Sequence, residues 1–180
     1  MQIYPKNIIV MKVGPHSGMN LEQIIQSKID EEQVHGVHYW GYSGVFCQPK
    51  KVQDFCKKSE LKDNGVKLIL IETKSSYDSN IGFITDYSND GANYIKFDKP
   101  VQLQGAQFSF VAKNIKESTD FVLDNYSVVG GKNDGKPLSE HLKFRVNKSF
   151  ATINQNKIQS NAIRVLEADL VYPYAIWLKE

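Results

Sequence analysis

The chain has 180 residues, a formal net charge of +2, 41% apolar residues and 23% charged residues. This composition is typical of a single globular domain, and it excludes a disordered chain or a strongly basic nucleic-acid-binding protein. Apolar runs stay well below the roughly 20 residues that a membrane span needs, and the N-terminus lacks a signal-peptide pattern. We therefore expect a cytoplasmic protein with no membrane or nucleic-acid partner.

The first seventy residues predict alternating strands and helices. Near-continuous apolar runs at residues 7–13, 37–42 and 66–72 predict three buried strands. Asn20 with Gln23 predicts a capped helix start, Gly36 its end, and Pro49 the start of a second helix. Right-handed crossovers would make the three strands parallel, with their carboxyl ends on one edge.

The pattern changes after Lys74. A turn at residues 88–91 predicts a hairpin, and further strands are expected at 101–103, 107–111, 121–129, 163–171 and 175–178. Leu138, Leu142 and Val146 repeat at helical spacing, which predicts a third helix from residue 137 to about 148. The predicted fold is one α+β domain over 1–180: a short parallel βαβαβ start joined to antiparallel strands, with a third helix late in the chain.

The spacing of the cysteines and histidines indicates neither a metal-binding site nor a covalent catalytic mechanism. Cys47 and Cys56 are the two cysteines, and they lack the close pairing that a metal site needs. We expect two reduced, buried thiols, no metal, no cofactor and no catalytic residues in the leading interpretation.

Three glycine-containing loops precede predicted helices, at residues 14–20, 41–49 and 130–137. Helix N-termini attract anions, and glycine lets the backbone approach a ligand closely. The third loop matches a P-loop as Gly130-x-x-x-x-Gly135-Lys136, but Pro137 replaces the Ser or Thr that would hold Mg²⁺. It therefore predicts phosphate binding without hydrolysis, with the candidate ligands Gly130, Gly131, Lys132, Lys136 and Arg145.

Aromatic residues beside the second loop predict the ring-binding part of the site. Alternation along a strand places His38, Trp40 and Tyr42 on one face and Tyr39 on the other. A base could stack on such residues, gaining roughly 1–3 kcal/mol. The remaining candidate binding residues are Tyr39, Trp40, Tyr42, Ser43, Gly44 and His16. The predicted partner is a nucleotide-like small molecule.

Two other functions stay open. Glu72-Thr73-Lys74 follows a hydrophobic strand as the E-x-K half of a metal-dependent nuclease or phosphodiesterase does, with Glu72 holding the metal and Lys74 steadying the attacking water or the phosphate. Alternatively, the aromatic tail at 172–177 is a dimer strand in a homo-oligomeric protein-interaction module.

Two segments, "YSVVGGKNDGKPLSEHLKFRVNKS" (126–149) and "HYWGYSGVFCQP" (38–49), cover about a fifth of the chain. They resemble segments of small proteins from bacteria and their phages that belong to no characterised family. The resemblance implies a gene carried by phages or mobile elements. By analogy, it implies an anti-defence role in which host signals such as cyclic nucleotides or ADP-ribose derivatives are sequestered.

Overall fold

The structure is a computed structural model, and it describes residues 6–14, 19–73, 82–103, 106–143, 146–154 and 161–179. These residues form nine strands and three α-helices. The helices are α1 (Leu21–His35), α2 (Pro49–Asp63) and α3 (Leu138–His141). The strands are β1 (Asn7–Val13), β2 (His38–Tyr42), β3 (Val66–Glu72), β4 (Gly82–Ser88), β5 (Tyr94–Leu103), β6 (Phe108–Phe121), β7 (Tyr126–Val128), β8 (Lys148–Ile153) and β9 (Ile163–Lys179).

All nine strands belong to one mixed sheet. Its main path runs β2-β6-β9-β3-β1-β8-β7, while β4 pairs with β9 and β5 with β4. The strands β1 and β3 are parallel, with Ile9 opposite Leu68, and the other described pairs are antiparallel. The predicted α+β class is confirmed. Among the described residues, no helix combines the length and apolarity needed to cross a bilayer.

The strand β2 does not join the parallel pair, and its predicted direction is wrong. It pairs antiparallel with β6, Trp40 lying opposite Phe110, and it therefore runs opposite to β1 and β3. The local βαβ pattern predicts that β2 lies parallel to its neighbours in sequence. Its actual partner is β6, a strand about seventy residues later, which the local pattern does not include. The carboxyl ends of β1 and β2 consequently do not meet at one edge of the sheet. Residues 15–18 of the first glycine loop lie outside the described residues.

The two longest strands, β6 and β9, lie next to each other inside the sheet. They pair from Phe108 opposite Trp177 to Phe121 opposite Ile163, with irregularities on the way. The other side of β9 pairs first with β3 and, at its end, with β4. The tail at 172–177 is the part of β9 in which residues 175–177 pair with β6 and Trp177 also pairs with β4, and its role as a dimer strand stays a prediction.

Three apolar clusters surround the sheet. The helix-side core lies under α1 and α2 and takes alternate residues of β1 and β3, such as Ile9 and Leu68. The opposite core contains Ile8 and Leu138 and is covered by α3. A third core lies where β4 and β5 pack behind β2, and it contains Tyr39.

Local signals set the ends of α1 and α2 as predicted. The Asn20 side chain accepts from the Gln23 N–H (2.9 Å), and the Gln23 side chain accepts from the Asn20 N–H (2.8 Å). Gly36 ends α1 with a positive φ of 76°. Pro49 begins α2, whose lysines 50, 51, 57 and 58 are exposed.

The late helix is much shorter than predicted. It covers Leu138–His141, and Lys148 begins β8, a strand that pairs with both β1 and β7. Leu138 and Leu142 are buried, so the helical spacing is real for one turn only. The residues from Lys148 onward instead form β8, which pairs with the edge of β1 that β3 leaves open.

Candidate functional site

The glycine loop after β7 is a closed turn rather than an open cradle. The N–H of Val128 donates to the Lys136 carbonyl (2.9 Å), and that of Gly135 to the Val128 carbonyl (2.8 Å). The N–H of Gly130 donates to Asp134 Oδ1 (2.6 Å). Gly130 and Gly135 have positive φ values of 81°, which the turn requires. Backbone N–H groups that a phosphate would need are thus already hydrogen-bonded within the loop, and the Asp134 carboxylate accepts from one of them.

The lysines of this loop are exposed, and they lie beside a short helix. The helix α3 has four residues, too few for the dipole of a full helix. Burial lowers the pKa of His141, and the nearby charges of Lys12 and Lys136 lower it further. Phosphate binding by Gly130, Gly131, Lys132 and Lys136 stays a prediction. Arg145, the fifth candidate for the phosphate, lies outside the described residues, and so does His16, the ligand-binding candidate of the first glycine loop.

The second glycine loop is tied down by neighbouring strands. The Ser43 carbonyl accepts from Lys148 Nζ (3.0 Å), and its hydroxyl accepts from the Gln107 N–H (3.1 Å). Gly44 is exposed and has a φ of 96°. Trp40 and Tyr42 are buried in the helix-side core. Through Lys148 this loop contacts β8, the strand that pairs with β7.

Glu72 lies in an ion-pair cluster around one arginine. Its Oε2 is 3.8 Å from Arg164, which also contacts Glu117 (2.7 Å) and Glu22 (3.6 Å). Lys74 lies outside the described residues. Among the residues that are described, no group of three or more His, Cys, Asp or Glu side chains could hold a metal ion. The nuclease interpretation therefore gains no support from the surroundings of Glu72.

A groove of about 340 Å³ opens between the end of α1 and the strands β4 and β5, and we call it the α1–β5 groove. Its aromatic part consists of Tyr39, Tyr87 and Phe97. The Phe97 ring lies 4.5 Å from that of Tyr87 and 5.4 Å from that of Tyr39. Burial, then the charge of Glu31 and the presence of Tyr87, raise the pKa of Tyr39, so its hydroxyl stays protonated. A flat ligand would meet the partly buried side chains of Tyr87 and Phe97, whereas Tyr39 belongs to the core behind them.

The rest of the groove is mostly basic. Lys96 and Lys99 come from β5, His35 from the last turn of α1, and Asp98 lies between the two lysines. The lysines and Asp98 are exposed. The volume lies within the roughly 300–1,000 Å³ of small-molecule sites. Aromatic rings and ammonium groups in one groove together suit a ligand with a ring and a phosphate.

An irregularity in β5 shapes this groove. Ile84 of β4 lies opposite Val101, while Asp86 lies opposite Lys96. The four residues from Phe97 to Pro100 therefore face a single residue of β4. Extra residues bend a strand and redirect its side chains, and bulges recur next to functional sites. Here they bring Lys96, Phe97, Asp98 and Lys99 to one groove.

Sequence reasoning identified Tyr39 as a ring-binding candidate but missed the other residues of the groove. Pro100 inside the segment "YIKFDKPVQ" was the available signal, because proline within a strand indicates an edge or a bulge. His35 and Tyr87 carried no local signal, since each reaches the groove through long-range packing.

A buried ion pair fixes α1 against β2 behind the groove. Lys28 Nζ lies 3.3 Å from Glu31 Oε2 and also donates to the Tyr39 carbonyl. The same Glu31 oxygen accepts from the Tyr39 N–H (2.9 Å). The two side chains thus bond both backbone groups of an edge residue of β2, as a neighbouring strand would. This arrangement holds Tyr39 in place at the groove.

Next to this pair lies a buried histidine. Nδ1 of His38 is 3.0 Å from Glu32, and His38 has no exposed surface. Within the described part of the chain, its Nε2 has no hydrogen-bond partner. Burial lowers the pKa of His38, against the opposing effect of its bond to Glu32. The folded protein therefore holds His38 neutral, because protonation would bury an N–H without an acceptor.

We expect this histidine to weaken the fold in mild acid. Between the lowered folded pKa and the unfolded value near 6.5, the unfolded chain binds more protons, so stability falls as the pH decreases, by up to about 1.4 kcal/mol per pH unit. Urea denaturation from about pH 7 to about pH 5 measures this slope. In His38→Asn, whose amide still reaches Glu32, the slope should be smaller. Parallel losses in both proteins would assign the acid sensitivity to other groups.

No protein-family model matches the chain, and no curated protein or solved structure matches it significantly. The α1–β5 groove therefore provides the chemical features from which a function can be inferred.

Proposed function

We propose that this protein binds a phosphate-bearing small ligand, of nucleotide type, in the α1–β5 groove and does not hydrolyse it. The observation that supports this function is the meeting of two lysines with an aromatic surface in a groove of suitable volume. A base or nicotinamide-like ring would lie against Phe97 and Tyr87, and Lys96 and Lys99 would bind phosphate oxygens.

The groove offers a phosphate more than the glycine loop does. Its lysines are exposed and flank a single carboxylate, whereas the amides of the loop are engaged in its turn and Asp134 closes it. Lysine binds phosphate as a point charge and needs no fixed cradle. The loop with Lys132 and Lys136 remains the second candidate position for the same ligand.

In the cell, such a protein would sequester its ligand. The resemblance to proteins of bacteria and their phages suggests host signalling nucleotides as targets and an anti-defence role. A homo-oligomer is compatible with this function but is not needed for it.

A thermal-shift series with mono-, di- and cyclic nucleotides, NAD and ADP-ribose, with and without Mg²⁺, tests the function. A ligand at 100 times its Kd adds about 2.7 kcal/mol, a rise of roughly 5–11 °C for a domain of this size. Chromatography of the recovered ligand should show it intact. Cleavage would contradict the proposal of binding alone, and the lack of any shift would overturn the function.

We expect Lys99→Ala to weaken binding of the best nucleotide by about 10- to 150-fold, because a hydrogen bond to a charged group is lost. Titration calorimetry measures this change. Lys136→Ala, which removes an exposed lysine of the glycine loop, is the matched control and should leave the affinity unchanged. The reverse result would move the phosphate to the glycine loop.

A further inference from the structure

An unpaired carboxylate lies in the basic part of the α1–β5 groove. Asp98 is exposed and lies between Lys96 and Lys99 in sequence. Even so, among the described residues it forms neither an ion pair nor a hydrogen bond with another side chain or the backbone. The neighbouring lysines therefore remain available to a ligand, and so do both oxygens of Asp98.

A carboxylate repels phosphate. Asp98 would therefore contact a part of the ligand other than its phosphate. An ionised Asp accepts hydrogen bonds only, and its two oxygens are best satisfied by two N–H groups side by side. The part of the ligand that reaches Asp98 should therefore present hydrogen-bond donors, and a base edge with two N–H groups satisfies both oxygens at once.

Among the common bases, guanine alone has two adjacent N–H donors, at N1 and N2. Adenine and cytosine place a ring-nitrogen acceptor next to their amino group, and that acceptor would face a carboxylate oxygen. Uracil has one N–H between two carbonyls. A carboxylate at the edge of a stacked base thus distinguishes guanine from the other three.

We propose that the α1–β5 groove selects a guanine nucleotide, with Asp98 accepting from N1–H and N2–H of the base. The ring stacks on Phe97, and Lys99 binds the phosphate. This inference rests on the proposed function and adds the identity of the base to it.

Titration calorimetry with GMP, IMP and AMP tests the selection. IMP lacks the N2 amino group, so wild-type protein should bind GMP at least about tenfold more tightly than IMP. AMP, which presents an acceptor beside its amino group, should bind more weakly than GMP by a similar factor or more.

The variant Asp98→Asn provides the decisive comparison. An amide offers one acceptor and one donor, which matches the amino group and N1 of adenine. GMP should therefore bind about tenfold or more weakly to the variant, AMP should bind more tightly than to wild type, and the preference for GMP over IMP should disappear. Because Asp98 is exposed and has no partner among the described residues, the fold should be unaffected, which circular dichroism checks.

The outcomes separate this inference from the proposed function. Equal affinities for the three nucleotides that all fall in Lys99→Ala would overturn the guanine selection and leave the phosphate site standing. Binding of none of the three, nor of any nucleotide in the thermal-shift series, would overturn both. An unchanged preference for GMP in Asp98→Asn would show that another group reads the base.

Discussion

Replacing Glu31 with alanine is expected to lower the free energy of unfolding by about 3–5 kcal/mol, since removal of one partner of a buried pair leaves the other charge uncompensated. The ammonium group of Lys28, 3.3 Å from Glu31, would remain buried, and burial already lowers its pKa. The Tyr39 N–H would lose its acceptor at the same time. Urea denaturation at neutral pH measures the loss.

Two further variants separate the charge of Glu31 from its hydrogen bond. Glu31→Gln keeps an acceptor for the Tyr39 N–H and should cost less than Glu31→Ala. The double variant Glu31→Gln with Lys28→Met also removes the buried charge of the lysine and should regain part of the lost stability. The control is Asp54→Ala, which breaks an exposed pair with Lys50 (3.1 Å) and should cost no more than about 0.5 kcal/mol. Similar losses for Asp54→Ala and Glu31→Ala would contradict the special role of the buried pair.

Phe110→Ala is expected to be about as damaging, with a loss of about 3–5 kcal/mol. The ring has no exposed surface and stacks on Tyr42 with centroids 4.3 Å apart. Its strand lies between β2 and β9, with Trp40 and Ala175 opposite, so the cavity would open inside the sheet's helix-side core. For a domain of this size the midpoint of thermal unfolding should fall by roughly 6–20 °C.

A matched aromatic residue on the surface controls for the loss of a ring. Phe46 lies in the loop before α2 and is 49% exposed, and Phe46→Ala should stay within about 0.5 kcal/mol of wild type. A loss below about 1 kcal/mol for Phe110→Ala would show that neighbouring side chains refill the space.

Local signals in the sequence predicted the parts of the fold that depend on local interactions. The capping box at Asn20, Gly36 after α1, Pro49 at the start of α2 and the apolar run of β3 all act within a few residues. The direction of β2 could not be predicted in this way, because its partner β6 is distant in the chain. Likewise, β8 is stabilised by pairing with β1 on one side and β7 on the other, and the pairing with β1 joins residues far apart in sequence.

The same distinction applies to the candidate site. The glycines of the loop after β7 predict phosphate binding, although positive φ in a tight turn explains them equally well. Asp134, four residues after Gly130, was the local sign of such a turn, since Asp side chains cap nearby backbone N–H groups. Apart from Pro100 in β5, the α1–β5 groove had no local pattern, because its residues come from α1, β2, β4 and β5 and meet only in the folded protein.

The central place of β9 has a consequence for synthesis of the protein. It is the last strand described, yet it pairs with β3, β4 and β6. A ribosome-bound chain that has not yet released residues 163–179 would expose unpaired edges of those three strands, and such edges are sites of aggregation. Among the described strands, β9 joins the pairs β2–β6 and β4–β5 to the group β3-β1-β8-β7, so the complete sheet needs contacts between segments far apart in sequence, a topology that folds slowly. Nascent chains stalled before Ile163 are therefore the species that we expect chaperones to bind.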